Sequence, residues 1–139
     1  MAIGKLSLKL KNKIRDLEKI HRGIEHLCHQ LGISKKCQCE TGLVLEELFT
    51  NIIHHGYPDG GEHSVRITIS VAEDKLTLKI EDDGVPFNPL KVDTPDLQTS
   101  IEDRNVGGLG VLLARHFSQE IRYRRQGRKN VLTLKKCLN

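Results

Sequence analysis

This sequence has no long hydrophobic run. No apolar stretch approaches the ~20 residues that a membrane-spanning helix needs. The opening MAIGKLSLKL lacks the apolar block of a secretory signal. A soluble, cytoplasmic protein with no membrane contact is therefore expected. Cysteine is sparse too: Cys28, Cys37, Cys39 and Cys137 do not make a disulfide framework in a chain without a secretory signal. The pair Cys37-x-Cys39 and the cluster His26, Cys28 and His29 fit no standard zinc-finger spacing, so structural roles are expected for them. Aromatic residues make up only 4% of the chain, and the one strongly basic stretch, RYRRQGRKN, offers Tyr123 as its only stacking ring. It reads as a solvated hairpin, with no direct nucleic-acid binding. The net charge of +4, with acids and bases interleaved, is compatible with an anionic partner and does not demand nucleic acid. There is no internal repeat and no low-complexity segment.

What is present suits one domain, residues 1–139, with 37% apolar residues for a single core. In KLSLKL, Leu6, Leu8 and Leu10 alternate, which predicts a short half-buried strand. Ile14, Leu17, Ile20, Ile24, Leu27 and Leu31 follow at helical spacing, with Gly32 as the stop. Ser34 is placed to cap a second helix that runs to about His55 and ends at Gly56 and Pro58. SVRITISV and KLTLKI alternate about AEDK, which predicts a hairpin. Residues 84 to 107 lack a strong period and hold Pro86, Pro89 and Pro95, so a long loop with one helical turn is expected there. GLGVLLARHF then reads as a helix with Leu109, Leu112, Leu113 and Phe117 inward, followed by a second hairpin around QGRK. The order predicts an α+β, two-layer α/β sandwich, with helices on one face of a mixed, largely antiparallel sheet.

Three stretches carry polar groups in places that packing alone does not explain. In EELFTNIIHHGY, Val44, Leu45, Leu48, Phe49, Ile52 and Ile53 form an apolar arc at about 100° per residue. Glu47, Asn51 and His55, spaced four apart, stack in a row along its edge, with Glu46 on the solvent side. These are either boundary polar residues or a site: an amide oxygen suits Mg²⁺, and a carboxylate one turn away suits proton acceptance. In KLTLKIEDDGVPFNP, Asp82 shares the face of Leu76, Leu78 and Ile80 and so points at the core, while Asp83 points outward. A buried carboxylate needs a donor, which a ligand amino group could supply. Acid, acid, glycine is equally ordinary turn chemistry. In NVGGLGVLLARHF, Gly107, Gly108 and Gly110 stand at a helix start, where free N–H groups attract phosphate; the alternative is a flexible helix entry. No Gly-Lys-Ser/Thr follows, so this is not a Walker loop, and the spacing is not that of a dinucleotide fingerprint.

In this order the three motifs resemble the Bergerat, or GHKL, ATP-binding fold shared by gyrase, histidine kinases and MutL-type repair ATPases, over nearly the whole chain. Within it, EELFTNIIHHGY, EDDGVPFNP and GGLGVLLARHF look most like the small anti-sigma-factor serine/threonine kinases of bacteria. The resemblance implies ATP and Mg²⁺ as cofactors. Asn51 would bind the metal, and Glu47 would be the catalytic base. His55 would line the site near the phosphates, and Asp82 would accept from the adenine amino group. Gly84 would let the base approach, with Pro86 and Phe87 beside it. Gly107, Gly108 and Gly110 would cradle the phosphates, and Arg104 would reach them from a lid spanning Val85 to Val106. The resemblance further implies a STAS-domain anti-sigma-factor antagonist as substrate, a sigma factor as competing partner, and a homodimer. The alternative is an ATP-gated protein-binding module with little or no phosphotransfer. Two positions depart from the superfamily pattern. Pro86 replaces a second glycine, and a late-strand threonine has no counterpart, Asn130 and Val131 standing about where it would be.

Overall fold

The computed structural model describes residues 3–91 and 106–138, with the backbone alone for 106–109. Strand β1 spans Gly4–Lys11 and α1 Leu17–Leu31; α2 runs from Lys35 to Gly56. The hairpin strands β2 and β3 span Ser64–Ala72 and Lys75–Asp82. Helix α3 spans Val106–Phe117, and β4 (Glu120–Gln126) and β5 (Lys129–Cys137) close the chain. The sheet order is β1-β2-β3-β5-β4, and each pairing is antiparallel, so the expected mixed sheet has no parallel pair among the described residues. The pairs β2–β3 and β4–β5 are hairpins, β2 returns beside β1 after α1 and α2, and β5 reaches β3 after the chain has crossed over through α3.

Period-two alternation decides which face is covered. Val65, Ile67, Ile69 and Val71 of β2 and Leu76, Leu78 and Ile80 of β3 are all 2% exposed or less, and the residues between them face outward. The helices lie on the buried face, where Ile20 and Ile24 of α1 and Val44, Leu45, Leu48 and Phe49 of α2 complete the core. The predicted start and stop signals hold. Gly32 takes the left-handed conformation (φ 68°), and Ile33 N–H reaches back to Cys28 O at 2.9 Å, the Schellman closure. The Ser34 hydroxyl accepts from Cys37 N–H at 3.1 Å and opens α2.

Two packing expectations fail. Ile14 does not join the α1 stripe; it sits in a short 3₁₀ turn, half exposed, because the buried Asp16 side chain accepts from Lys11 N–H and sets the helix start after it. In α3 the fully buried residues are Val111, Ala114 and Phe117, while Leu112 and Leu113 are only partly covered and the side chain of Leu109 lies outside the described residues. The turn of the helix is set by Gly110, whose lack of a side chain lets that face approach α2.

Candidate active site

Helix α2 presses Val44, Leu45, Leu48 and Phe49 onto the sheet, which leaves Glu47 and Asn51 along the edge that α3 crosses. There Gly110 makes the contact. A Cβ on it would lie 3.0 Å from Glu47 Cβ, 3.3 Å from Glu47 Oε2 and 3.5 Å from Asn51 Nδ2. Glu47 is half-buried; burial pushes its carboxyl above the usual carboxylate range, and the charge of Glu46 adds to the effect. Glu46 lies on the solvent side as expected, its side chain 42% exposed and 3.8 Å from the comparably accessible His21 of α1. Asn51 is 7% exposed, and its buried Nδ2 has no hydrogen-bond partner among the described residues. Such orphans are rare among buried polar atoms and ask for a reason.

The other polar end is the reverse case. Asp82, also 7% exposed, receives Gly84 N–H at 2.9 Å and the Asn130 amide at 3.0 Å, both on Oδ1. Burial nevertheless raises its pKa, against the pull of those two bonds. Asn130, its cross-strand partner, is the hub. Its NH₂ also donates to Val85 O at 2.9 Å, and its Oδ1 accepts from Phe87 N–H at 3.3 Å, from Arg125 at 3.2 Å and from the Tyr123 hydroxyl. Arg125 further donates to Gly84 O at 2.7 Å, which fixes the turn after β3.

Between the two ends lies a cleft walled by Leu48, Ile52, Ile80, Phe87, Pro89 and Leu132, with Asn51, Asp82, Tyr123 and Asn130 as its polar members. Asn51 and Asp82 thus open onto one space, with Phe87 in its wall and Glu47 and Gly110 at its border. An apolar slot with a few fixed polar groups at its ends is the ordinary form of a small-ligand site.

The remaining sequence-predicted residues stand elsewhere. His55 is exposed and outside the cleft lining; it stacks on Phe87 with ring centroids 5.2 Å apart. Pro86 is exposed beside Phe87. Gly84 stands behind Asp82, where a Cβ would come within 2.6 Å of Gly56 O, so close packing of the turn on the end of α2 accounts for the glycine. Gly107 and Gly108 lie in the first turn of α3, among the N–H groups that a helix leaves free, whereas Gly110 is past them. Arg104 and lid residues 92–105 lie outside the described residues. Sequence reasoning missed Asn130, Tyr123 and Arg125 as site residues. Their signal was phase: Asn130 alternates with Leu132 and Leu134, and Tyr123 with Ile121, so both side chains face inward. Among the described residues no group of three metal-binding His, Cys, Asp or Glu side chains occurs. Cys28 and Cys37 are buried, and Cys39 is exposed.

Helices layered on one face of an open antiparallel sheet, over a cleft that ends in an inward acid and an inward helical amide, define an ATPase of the GHKL kind. The chain belongs to the histidine kinase-like ATPase domain family, which it matches over residues 10–136. It is 29% identical over 111 residues to the serine/threonine-protein kinase BtrW of Bordetella bronchiseptica, covering 80% of this chain and 78% of that one. It is 25% identical to the anti-sigma F factor of Clostridium novyi (88% and 85% covered) and 26% identical to the serine-protein kinase RsbW of Bacillus mycoides (84% and 75%). Among solved structures, the RsbU and RsbW domains of Rv1364c from Mycobacterium tuberculosis superpose with a TM-score of 0.69 at 15% identity over 97% of this chain. This chain spans 32% of the length of that mycobacterial protein. The SiaB-SiaC complex from Pseudomonas aeruginosa superposes with a TM-score of 0.61 at 17% identity, covering 94% of this chain and 88% of that one. At such identities these two likenesses establish the fold.

Proposed function

We propose that this chain is an ATP-dependent protein serine kinase and anti-sigma regulator that phosphorylates a STAS-type antagonist in a partner-switching circuit. One observation carries the reading: Asn51 and Asp82 border a single cleft, and Gly110 draws Glu47 to its Asn51 end. Asp82 Oδ1 is occupied by its own chain, and no described residue bonds Oδ2, which leaves an acceptor for the adenine amino group. The apolar walls take the ring. Gly107 and Gly108 offer free N–H groups to the phosphates at the start of α3.

The Asn51 site fits a magnesium ion. Its amide is buried, one polar atom is unpartnered, and rotation about χ2 turns either end of the amide to the cleft. Asn51 would hold the ion, which when bound neutralises triphosphate charge. Glu47 stands one helical turn away. It would accept the proton of the incoming serine hydroxyl, and its raised pKa makes it a better base than an exposed glutamate. The serine oxygen would then bond to the γ-phosphorus as the bond to the ADP oxygen breaks. Among the described residues no helix is long and apolar enough to cross a membrane, and a cytoplasmic single-domain protein, dimeric and able to engage a sigma factor, fits this scheme.

The test is incubation with labelled ATP, Mg²⁺ and a STAS-domain antagonist, beside a Glu47→Ala variant. Serine label that vanishes in the variant supports the kinase. Tight ATP binding without label in either protein supports an ATP-gated binding module instead.

A further inference from the structure

The nucleotide cleft opens on the helical side of the sheet. The opposite side has a different character. Strand registers place Lys9, Arg66, Glu81, Val131 and Arg124 in one row across the sheet, each the cross-strand partner of the next, on the face away from the core. Two shallow depressions open on this face. Lys9, Arg66 and Lys129 border one, and Arg122, Arg124 and Lys135 border the other. All six cations are exposed, and no described helix covers them. Three acids share the face, and Asp83 is engaged by the Tyr57 hydroxyl at 3.0 Å and by His63 at 3.6 Å. Glu81 lies 3.7 Å from Lys79, while Glu120 lies 2.7 Å from Arg122 and 3.8 Å from Lys135. Lys9, Arg66, Arg124 and Lys129 have no ion-pair partner among the described residues. For a chain whose whole net charge is +4, this is a strong concentration on one side. Uncompensated like charge on a rigid sheet attracts a complementary surface and repels its own copy, which argues against face-to-face pairing of two such chains.

We infer that the open sheet face is a docking surface for an acidic protein segment, separate from the nucleotide cleft. A protein fits better than a nucleic acid for two reasons. Among the described residues the only aromatic residue that borders the two depressions is Tyr123, and its hydroxyl is given to Asn130 on the core side, which leaves no free ring set out for base stacking. Glu81 stands in the middle of the cationic row, where it opposes a continuous phosphate backbone but pairs with a lysine set among a partner's acids. This inference does not depend on the kinase reading.

The test is an amide NMR titration of the whole chain at low salt. One arm uses a glutamate-rich peptide with interspersed lysines, and the other an oligothymidylate of equal net charge. The peptide is expected to bind more tightly and to shift amides around Lys9, Arg66 and Arg124. The double variant Arg66→Gln/Arg124→Gln should weaken it about fivefold, the scale of two exposed charge contacts. Glu81→Gln should also weaken the peptide, and saturating Mg-ATP should leave its affinity unchanged. The substituted side chains lie outside the core, and an unchanged melting temperature confirms that each variant folds. Tighter oligothymidylate binding, or binding that Glu81→Gln strengthens, would overturn the proposal in favour of a phosphate-reading surface. Shifts confined to the helical layer, no binding, or self-association that the double variant abolishes would overturn it as well.

Discussion

The two ends of the cleft are built on opposite principles. At the Asp82 end, Asn130 uses both amide hydrogens and takes three donors on its oxygen, and Arg125 fastens the adjoining turn. At the Asn51 end, a buried nitrogen has no partner among the described residues, and Glu47 is held against Gly110 with its charge disfavoured by burial. One end is braced before any ligand arrives, with only Asp82 Oδ2 left open among its described acceptors, and the other is left short. The difference has a physical reason. Recognition of a neutral ring calls for acceptors in fixed positions, because a misplaced hydrogen bond costs about as much as a missing one. A reacting end must gain its interactions when ligand and metal bind, since groups already satisfied within the chain have nothing to add.

The largest effect is expected at Glu47. Glu47→Gln keeps the shape and removes the base, so phosphotransfer should fall about 10²–10⁴-fold while nucleotide binding stays within about twofold. Rapid-quench assays beside equilibrium binding measure both. The wild-type rate should also report the raised Glu47 pKa. A base held protonated to higher pH loses activity sooner on acidification, so the acid limb of the rate profile should lie above the ordinary glutamate range. An acid limb at the ordinary value would mean that Glu47 is not the group titrating.

Next comes Asn130→Ala, which deprives Asp82 of one donor, the Tyr123 hydroxyl of its acceptor and Arg125 of one of its acceptors. The ligand-free protein should lose about 2–4 kcal/mol, read from denaturant unfolding. Asn51→Ala is the counterpart. It deletes an amide whose nitrogen has no partner among the described residues, so the ligand-free protein should change by less than about 1 kcal/mol, while Mg²⁺-dependent nucleotide affinity collapses. If Asn51→Ala destabilises the empty protein as much as Asn130→Ala does, the contrast between the ends is wrong.

This contrast also explains what the sequence could reveal. The inward turn of Asp82 was legible because strand period is two and three apolar neighbours fix the phase. The row of Glu47 and Asn51 was legible from helical geometry. Asn130 was not read as a site residue, because it becomes a hub only when β5 pairs with β3 across the α3 crossover, a contact between residues 48 positions apart. His55 continues the row by spacing; it stands one residue before the helix ends at Gly56, and its exposed ring stacks on Phe87, a wall residue of the cleft. Gly84 and Gly110 are expected from the sequence at ligand contacts; packing adds a reason of its own, since a Cβ at Gly84 would collide with the end of α2 and one at Gly110 would press tightly on Glu47. Local pattern identifies which face a residue takes, whereas the element that comes to oppose it depends on the long-range pairing.

The smallest effect concerns what holds the braced end in place from outside. Beyond Asp82, the loop after α2 forms a clasp. The Tyr57 hydroxyl donates to Asp83 Oδ1 at 3.0 Å, the Tyr57 ring stacks on His63 at 4.3 Å, and His63 lies 3.0 Å from Asp59 and 3.6 Å from Asp83. The hydrogen bond to Asp59 raises the His63 pKa, with the Asp59 and Asp83 charges adding to it, while Asp59 is lowered first by Gly61 N–H and then by His63. The signs run in opposite directions. A raised histidine contributes in full below its ordinary value of about 6.5 and is lost as pH rises through the folded value. A lowered aspartate contributes above the ordinary carboxylate range and is lost as pH falls through its folded value. The clasp should therefore be tightest in mildly acid solution and loosen on either side. Hydrogen exchange of amides 57–63 and 83–85, corrected for intrinsic rates, should show a protection maximum there, and His63→Gln should abolish its alkaline side. If Asn130 and Arg125 suffice to hold the Asp82 end, nucleotide affinity will not follow that maximum; if affinity does follow it, the braced end owes part of its rigidity to the clasp.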